Sequence, residues 1–136
     1  MNDKEIREKV HSAMDTLIRD KGVASPVDVL MAIDILSKAD YENWRFCRTD
    51  YLERVCKVNL RKLSLINHEI RVYAGRHNLK PSWTDYRKWG KGKNIRLRFS
   101  KSGDEQIERL YSTHYVSQQK IDEAAGRKAQ EPNTEG

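Results

Sequence analysis

The spacing of apolar residues along the chain changes at Pro81. Before this residue, apolar side chains recur three and four positions apart, as one face of a helix requires. After it, Ile95, Leu97 and Phe99 alternate with arginines, as one face of a strand requires. Proline cannot continue a helix, so the change in period marks a structural boundary. The pattern predicts a mainly helical α+β fold, a helical bundle with one basic β-hairpin and a closing helix.

Five helices are predicted before Pro81 from apolar periodicity and from the capping residues Asn, Ser and Asp that precede them. They cover residues 3–21, residues 26 to about 37, a short segment from Asp40, residues 50 to about 57, and residues 59 to about 77. The second helix is apolar on nearly all sides, which predicts that it is buried. The fifth is long enough to be the central helix of the bundle.

The part of the chain after Pro81 is predicted to form the hairpin at residues 83–99, with residues 90–94 as its loop. A closing helix then starts at Ser102. From about Ser117 the residues are small and polar with no apolar period, so residues 117–136 are expected to be a flexible tail. The chain of 136 residues is too short for two ordinary domains once that tail is set aside, so a single domain is expected at residues 1–116.

The N-terminal residues open an amphipathic helix and lack the pattern of a signal peptide. No window approaches the roughly 18 consecutive apolar residues that a membrane span needs. The two cysteines are too few for a disulfide scaffold. These features predict a cytoplasmic protein that makes no membrane contact and keeps its cysteines reduced.

The predicted hairpin carries the basic character of the chain. The formal net charge is +6, and residues 87–101 alone contain seven positive charges and no acidic residue. These residues are Arg87, Lys88, Lys91, Lys93, Arg96, Arg98 and Lys101. A glycine-lysine tip can reach phosphates, and Trp89 can stack on a base, so the segment predicts nucleic-acid contact. The alternative is a solvated face whose lysines protect an edge strand.

Helices followed directly by a basic hairpin resemble the winged helix-turn-helix class in element order over residues 25–101. The resemblance implies that the helix before the hairpin enters the major groove while the hairpin touches the DNA backbone or minor groove. Arg61, His68 and Arg71 on that helix are then secondary candidates for nucleic-acid binding. Leu65 and Val72, however, lie among these polar residues, which favours a central buried helix or a dimer seam.

The stretch from Arg96 to Asp104 resembles a segment of small uncharacterised bacterial proteins. The resemblance covers about residues 41–116 and brings no activity with it. It implies only a bacterial or phage origin.

Metal binding and catalysis find little support in the sequence. Cys47, Cys56, His68 and His77 are separated by eight, eleven and eight residues, whereas zinc ligands are normally paired two to five residues apart. The acidic residues at positions 104, 105 and 108 are explained by capping of the closing helix. His114 has no nucleophile beside it in the sequence to act on as a general base. No catalytic residue, metal or cofactor is therefore expected.

Two functions remain open from the sequence. The favoured one is a non-enzymatic nucleic-acid-binding protein, with DNA preferred over RNA, that contacts phosphates through the basic hairpin. The alternative is a protein–protein adaptor or phage-type inhibitor that uses the long central helix, either on a protein partner or as a homodimer.

Overall fold

The computed structural model describes residues 1–130, with side chains as far as Gly126. The helices in this range are α1 (Asp3–Lys21), α2 (Pro26–Ala32), α3 (Lys38–Arg45), α4 (Leu60–Arg76), α5 (Glu105–Ser112) and α6 (Gln118–Gln130). The strands are β1 (Val23–Ala24), β2 (Lys80–Trp83) and β3 (Thr113–Val116), and a short 3₁₀ helix covers Leu52–Val55. The fold is therefore α+β and mainly helical, as the sequence predicted.

The helix starts follow the capping side chains. Asn2, Ser25 and Asn59 each accept a hydrogen bond from the backbone N–H three residues later, at 2.9, 3.1 and 2.9 Å. The bounds of α1 and α4 accordingly match the prediction to within a residue. The helix α2 is shorter than predicted because the chain leaves the helical conformation at Asp34, where φ is 62°. Ser37 then caps α3, which begins two residues earlier than expected.

The strands form one small antiparallel sheet in the order β1-β3-β2. The central strand β3 occupies the segment that the sequence predicted as the end of the closing helix, so this prediction was wrong. Its partner β2 contains Trp83, whose register partner is Thr113. Trp83 therefore pairs with the C-terminal part of the chain rather than with residues 95–99.

The predicted hairpin at residues 83–99 is reduced to a single antiparallel bridge between Arg87 and Arg96. Leu97 N–H donates to the Tyr86 carbonyl at 2.9 Å, and no longer ladder follows. On the opposite side, residues 98 and 99 accept hydrogen bonds from the backbone N–H groups of Leu52 and Glu53, at 3.2 and 2.9 Å. The second half of the hairpin is held by the 3₁₀ helix, which explains why the alternation of buried Leu97 with exposed neighbours persists without a regular strand.

The core lies between α1 and α4 and continues to the aromatic residues under the basic segment. Ile6, Val10 and Met14 of α1 are fully buried against Leu63 and Ile66 of α4. A second group, formed by Trp44, Tyr86, Phe99 and Tyr111, is also buried, with ring centroids 5.0 to 5.7 Å apart. This aromatic group supports the chain that carries most of the positive charge.

The segment expected as a flexible tail from Ser117 is helical as far as Gln130. The apolar pattern did not indicate this helix, but the sequence contains its capping residue. Ser117 Oγ accepts a hydrogen bond from the backbone N–H of Lys120 at 3.1 Å. Lys120 also donates from its ammonium group to the carbonyl of Lys21, at 3.1 Å, which ties α6 to the end of α1. The remainder of the predicted tail, residues 131–136, lies outside the described residues. Of the helices within residues 1–130, none is both long and apolar enough to cross a bilayer.

Candidate nucleic-acid interface

The basic loop, residues 87–101, is attached to the rest of the fold near its start and at its end. Near its start, the backbone N–H of Trp89 donates a hydrogen bond to the carbonyl of Arg45, at the end of α3, at 2.8 Å. Further on, the buried Trp44 donates from Nε1 to the Arg98 carbonyl at 2.7 Å. These contacts fix both halves of the loop to α3 in the absence of a regular hairpin ladder.

Two carboxylates hold the end of the basic loop. Glu108 of α5 accepts hydrogen bonds from Phe99 N–H, Ser100 N–H and Ser100 Oγ, at 2.9, 2.7 and 2.6 Å. Glu53 accepts from Lys101 N–H at 2.8 Å. Charged acceptors make the stronger kind of hydrogen bond, so Glu53 and Glu108 act as a carboxylate clamp on the backbone. The sequence explained Glu108 only as a helix-start residue.

Three of the seven predicted contact residues are already occupied within the protein. Arg87 and Arg96 both pair with Asp85, at 2.7 and 3.1 Å. The hydrogen bond from Arg87 and the positive charges of both arginines hold the pKa of Asp85 below its usual value. Arg98 donates to the backbone carbonyls of Ser100 and Lys101. The three arginines therefore shape the loop before any ligand arrives.

The side chains of the lysines in the loop form no ion pair or hydrogen bond with the described residues. Lys88, Lys91 and Lys93 form no ion pair with any residue in the described range, and Lys91 and Lys93 are exposed. We call these three residues the cationic tip. Lys101 is also exposed and unpaired in the described range, but it lies at the opposite end of the loop.

Exposed aromatic and aliphatic side chains surround the same loop. In residues 1–130, the large apolar side chains that are exposed number six, and four of them lie on this loop or beside it. Those four are Phe46, Trp83, Trp89 and Ile95. Exposed apolar side chains concentrated on one part of a surface mark interaction sites more often than scattered single residues do.

Phe46 and Trp89 connect the cationic tip to α3. Their rings meet edge to face at 5.8 Å, and a Cβ at Gly90, where φ is 92°, would come within 3.3 Å of the Phe46 ring. The guanidinium of Arg48, three residues beyond the end of α3, lies over the Phe46 ring at 5.0 Å and adds a cation beside the tip. Trp89, predicted to be a free stacking residue, already has Arg45 over one ring face at 4.5 Å.

Trp83 is the aromatic residue that sequence reasoning missed. Trp83 was expected as the first residue of the predicted hairpin, yet 53% of it is exposed, the largest exposure among the large apolar side chains described. The guanidinium of Arg96 lies 5.6 Å from the centre of its ring. Nothing in the local sequence distinguishes Trp83 from the buried Trp44, because the exposure results from its place at the end of the edge strand β2.

The structure does not bring the three candidates on α4 to the basic loop. Arg61 makes two hydrogen bonds to the Asp3 carboxylate, at 3.1 and 3.0 Å, which join the starts of α4 and α1. His68 and Arg71 are exposed on α4. In the described residues, none of the three forms a hydrogen bond or an ion pair with the loop. Their part in nucleic-acid binding stays a prediction, as does the resemblance to winged helix-turn-helix proteins.

The apolar residues of the central helix are partly covered. Leu65 is half-buried and packs against the core, and Val72 is half-buried beside α1. An adaptor surface on α4 would therefore have to use side chains that already contribute to packing within the chain.

His114, the histidine considered as a general base, makes a hydrogen bond inside the protein. His114 Nε2 shares a hydrogen bond of 2.8 Å with the Tyr86 hydroxyl. Burial lowers the pKa of His114 below its usual value, which favours the neutral ring. Over the described range, no three His, Cys, Asp or Glu side chains are grouped so that they could hold a metal ion.

Comparison with models of protein families, with curated proteins and with solved structures gives no match. The chemistry of the loop and its surroundings is thus the basis for inferring what the protein does.

Proposed function

We propose that this chain is a non-enzymatic nucleic-acid-binding protein that contacts phosphates through the cationic tip. The observation that carries this proposal is that the cations of the basic loop fall into two groups, those with partners inside the protein and those without. Arg87, Arg96 and Arg98 are engaged inside the protein, while Lys88, Lys91 and Lys93 are not. Ammonium groups without protein partners on an attached loop are suited to displacing counterions from a phosphate backbone.

The surroundings of the tip favour a polyanion over a small acidic ligand. No acidic residue occurs between Tyr86 and Gly103, and Arg48, just beyond α3, adds a cation beside Phe46. A surface several residues long with one sign of charge suits a ligand with regularly spaced negative charges. The exposed edges of Phe46 and Trp89 offer apolar contact to sugars or bases next to those phosphates.

The experiment is a titration of labelled DNA and RNA oligonucleotides at several salt concentrations, with fluorescence anisotropy as the readout. The test protein is the double variant Lys91→Gln/Lys93→Gln. The control is Lys4→Gln/Lys9→Gln, which removes the same charge from exposed positions on α1. Each lost phosphate contact lowers the slope of log affinity against log salt by about 0.9 on duplex and about 0.7 on single strands.

The tip variant should therefore bind every sequence more weakly, with a slope reduced by about 1.8 on duplex or about 1.4 on single strands. The control should change affinity slightly and leave the slope close to that of the wild type. Equal effects of the two variants would show that net charge alone drives association. Absence of binding at low salt would remove the proposal and leave the adaptor hypothesis.

A further inference from the structure

A groove lies beside the basic loop, between β2 and α5. Its volume is about 430 Å³, and its wall is formed by the exposed ring of Trp83. Tyr86 and Leu97 contribute apolar surface, and the charged side chains at the groove are Asp85, Arg96, Glu105, Glu108 and Arg109. We call this the Trp83 groove. Ligand sites are commonly concave, with aromatic and apolar surface and a few polar groups that fix the orientation of the ligand.

The charges in the groove differ from those at the cationic tip. Asp85 and Glu105 lie in the same groove as Arg96 and Arg109, so carboxylates and guanidinium groups occur together. A phosphate entering the groove would meet three carboxylates, those of Asp85, Glu105 and Glu108, which makes the groove a poor phosphate site compared with the tip. A planar group with both donors and acceptors on its edge would find partners of each kind. Nucleobases have this chemistry.

The ring of Trp83 is available to such a ligand. About half of the residue is accessible. The guanidinium of Arg96, anchored by its ion pair with Asp85 at 3.1 Å, lies over one face of the ring at 5.6 Å, so a base would stack on the part of the ring that Arg96 leaves open. Because the arginine is already oriented, little side-chain freedom remains to be lost when a base stacks there.

A base inside a duplex has both of its faces covered by its neighbours, so only an unpaired base can stack on an aromatic side chain. We propose that the Trp83 groove takes an unpaired nucleobase, and that the preferred ligand is a single strand whose phosphates lie on the cationic tip. This proposal rests on the proposed function and adds the class of nucleic acid to it.

The spacing of the two surfaces is compatible with one strand. Lys88 is five positions after Trp83 in the sequence, a distance of at most about 18 Å in an extended chain. With about 3.4 Å per stacked nucleotide, roughly five nucleotides cover this distance. A single strand of ten nucleotides is therefore long enough to occupy the groove and the tip together.

The test compares a ten-nucleotide single strand with a blunt duplex of the same sequence, using fluorescence anisotropy. Trp83→Ala should weaken binding of the single strand by roughly 5- to 150-fold, which corresponds to the loss of one base–aromatic stack, and should leave duplex binding unchanged. Trp83→Phe retains an aromatic face and should restore most of the affinity. Leu60→Ala, at an equally exposed apolar residue on α4, is the matched control and should have no effect.

A second variant guards against a folding defect. Trp83→Leu keeps an apolar side chain at the end of β2 without an aromatic face, and should reproduce the loss seen with alanine. All variants should keep the wild-type salt slope, because the tip lysines are untouched. Should Trp83→Ala and Trp83→Leu bind the single strand as tightly as the wild type, the groove proposal is overturned while the cationic tip survives. If the protein binds neither strand nor duplex, the proposed function itself fails.

Discussion

The carboxylate clamp offers a direct test of how the basic loop is held. Glu108 accepts three hydrogen bonds from two adjacent residues, and one of these, Ser100, is only 1% exposed. Glu108→Ala removes the acceptor and leaves the N–H groups of Phe99 and Ser100 without a partner. An unsatisfied buried donor costs about 1 to 3 kcal/mol. Since Glu108 itself is half-buried, water can reach part of the space, and we expect a loss of about 3 kcal/mol in the free energy of unfolding.

The assay is urea denaturation followed by circular dichroism. With a slope near 2 kcal/mol per molar urea, the expected midpoint falls by about 1.5 M. Glu105→Ala is the matched control, because Glu105 lies in the same first turn of α5 but is exposed and accepts no hydrogen bond in the described residues. Losing its favourable interaction with the helix dipole should cost less than about 1 kcal/mol.

Amide hydrogen exchange separates a global effect from a local one. The N–H groups of Phe99 and Ser100 should exchange much faster in Glu108→Ala, while amides of α1 and α4 should change only as global stability changes. If the midpoints of the Glu108 and Glu105 variants coincide and Ser100 keeps its protection, the clamp does not hold the loop, and the reasoning is refuted.

Three further predictions concern His114 in β3, Gly22 at the end of α1 and Gly75 in α4. Burial lowers the pKa of His114, an effect that the charge of Asp28 partly opposes, so the neutral ring is favoured in the folded state. The contribution of the neutral His114 ring to the free energy of unfolding should be complete above pH 6.5 and lost as the pH falls through the lowered pKa. Between pH 7.5 and pH 5, the urea midpoint of His114→Gln should therefore fall less than that of the wild type. Gly22 has φ of 72°, and an added Cβ would lie 3.0 Å from Lys120 Cβ, so Gly22→Ala should reduce stability by about 1 to 2 kcal/mol. Gly75→Ala, where nothing lies within 4 Å, should instead leave thermal stability unchanged or raise it by up to about 1 kcal/mol.

Local signals in the sequence predicted the helices well and the sheet poorly. The caps at Asn2 and Asn59 act through backbone groups three residues away, so α1 and α4 could be placed from the sequence alone. The strand pairing of Trp83 with Thr113 joins segments thirty residues apart. An alternating pattern indicates that one face is buried, but it does not identify the neighbour.

The same limit applies to the candidate site. The charge distribution in the sequence identified the basic loop, but all seven of its cations then appeared equivalent. Asp85, two residues before the counted segment, pairs with Arg87 and Arg96, and Glu108 binds the backbone of the last part of the loop. These partners are fixed by tertiary packing, so the sequence could not divide the cations into those that shape the loop and those left for a ligand.

The attachment of the loop bears directly on affinity. A flexible segment that becomes ordered on binding loses conformational entropy, and that loss weakens the complex. Here Trp44, Glu53 and Glu108 already hold the loop at Arg98, Lys101 and the residues between them. Beside the tip, the backbone N–H groups of Lys88 and Trp89 already donate to the carbonyls of Ile95 and Arg45, both at 2.8 Å, so part of the ordering precedes binding. Weakening the clamp should therefore reduce affinity for nucleic acid without changing the salt slope, whereas neutralising the tip changes both. These two different responses would distinguish residues that position the loop from residues that contact phosphate.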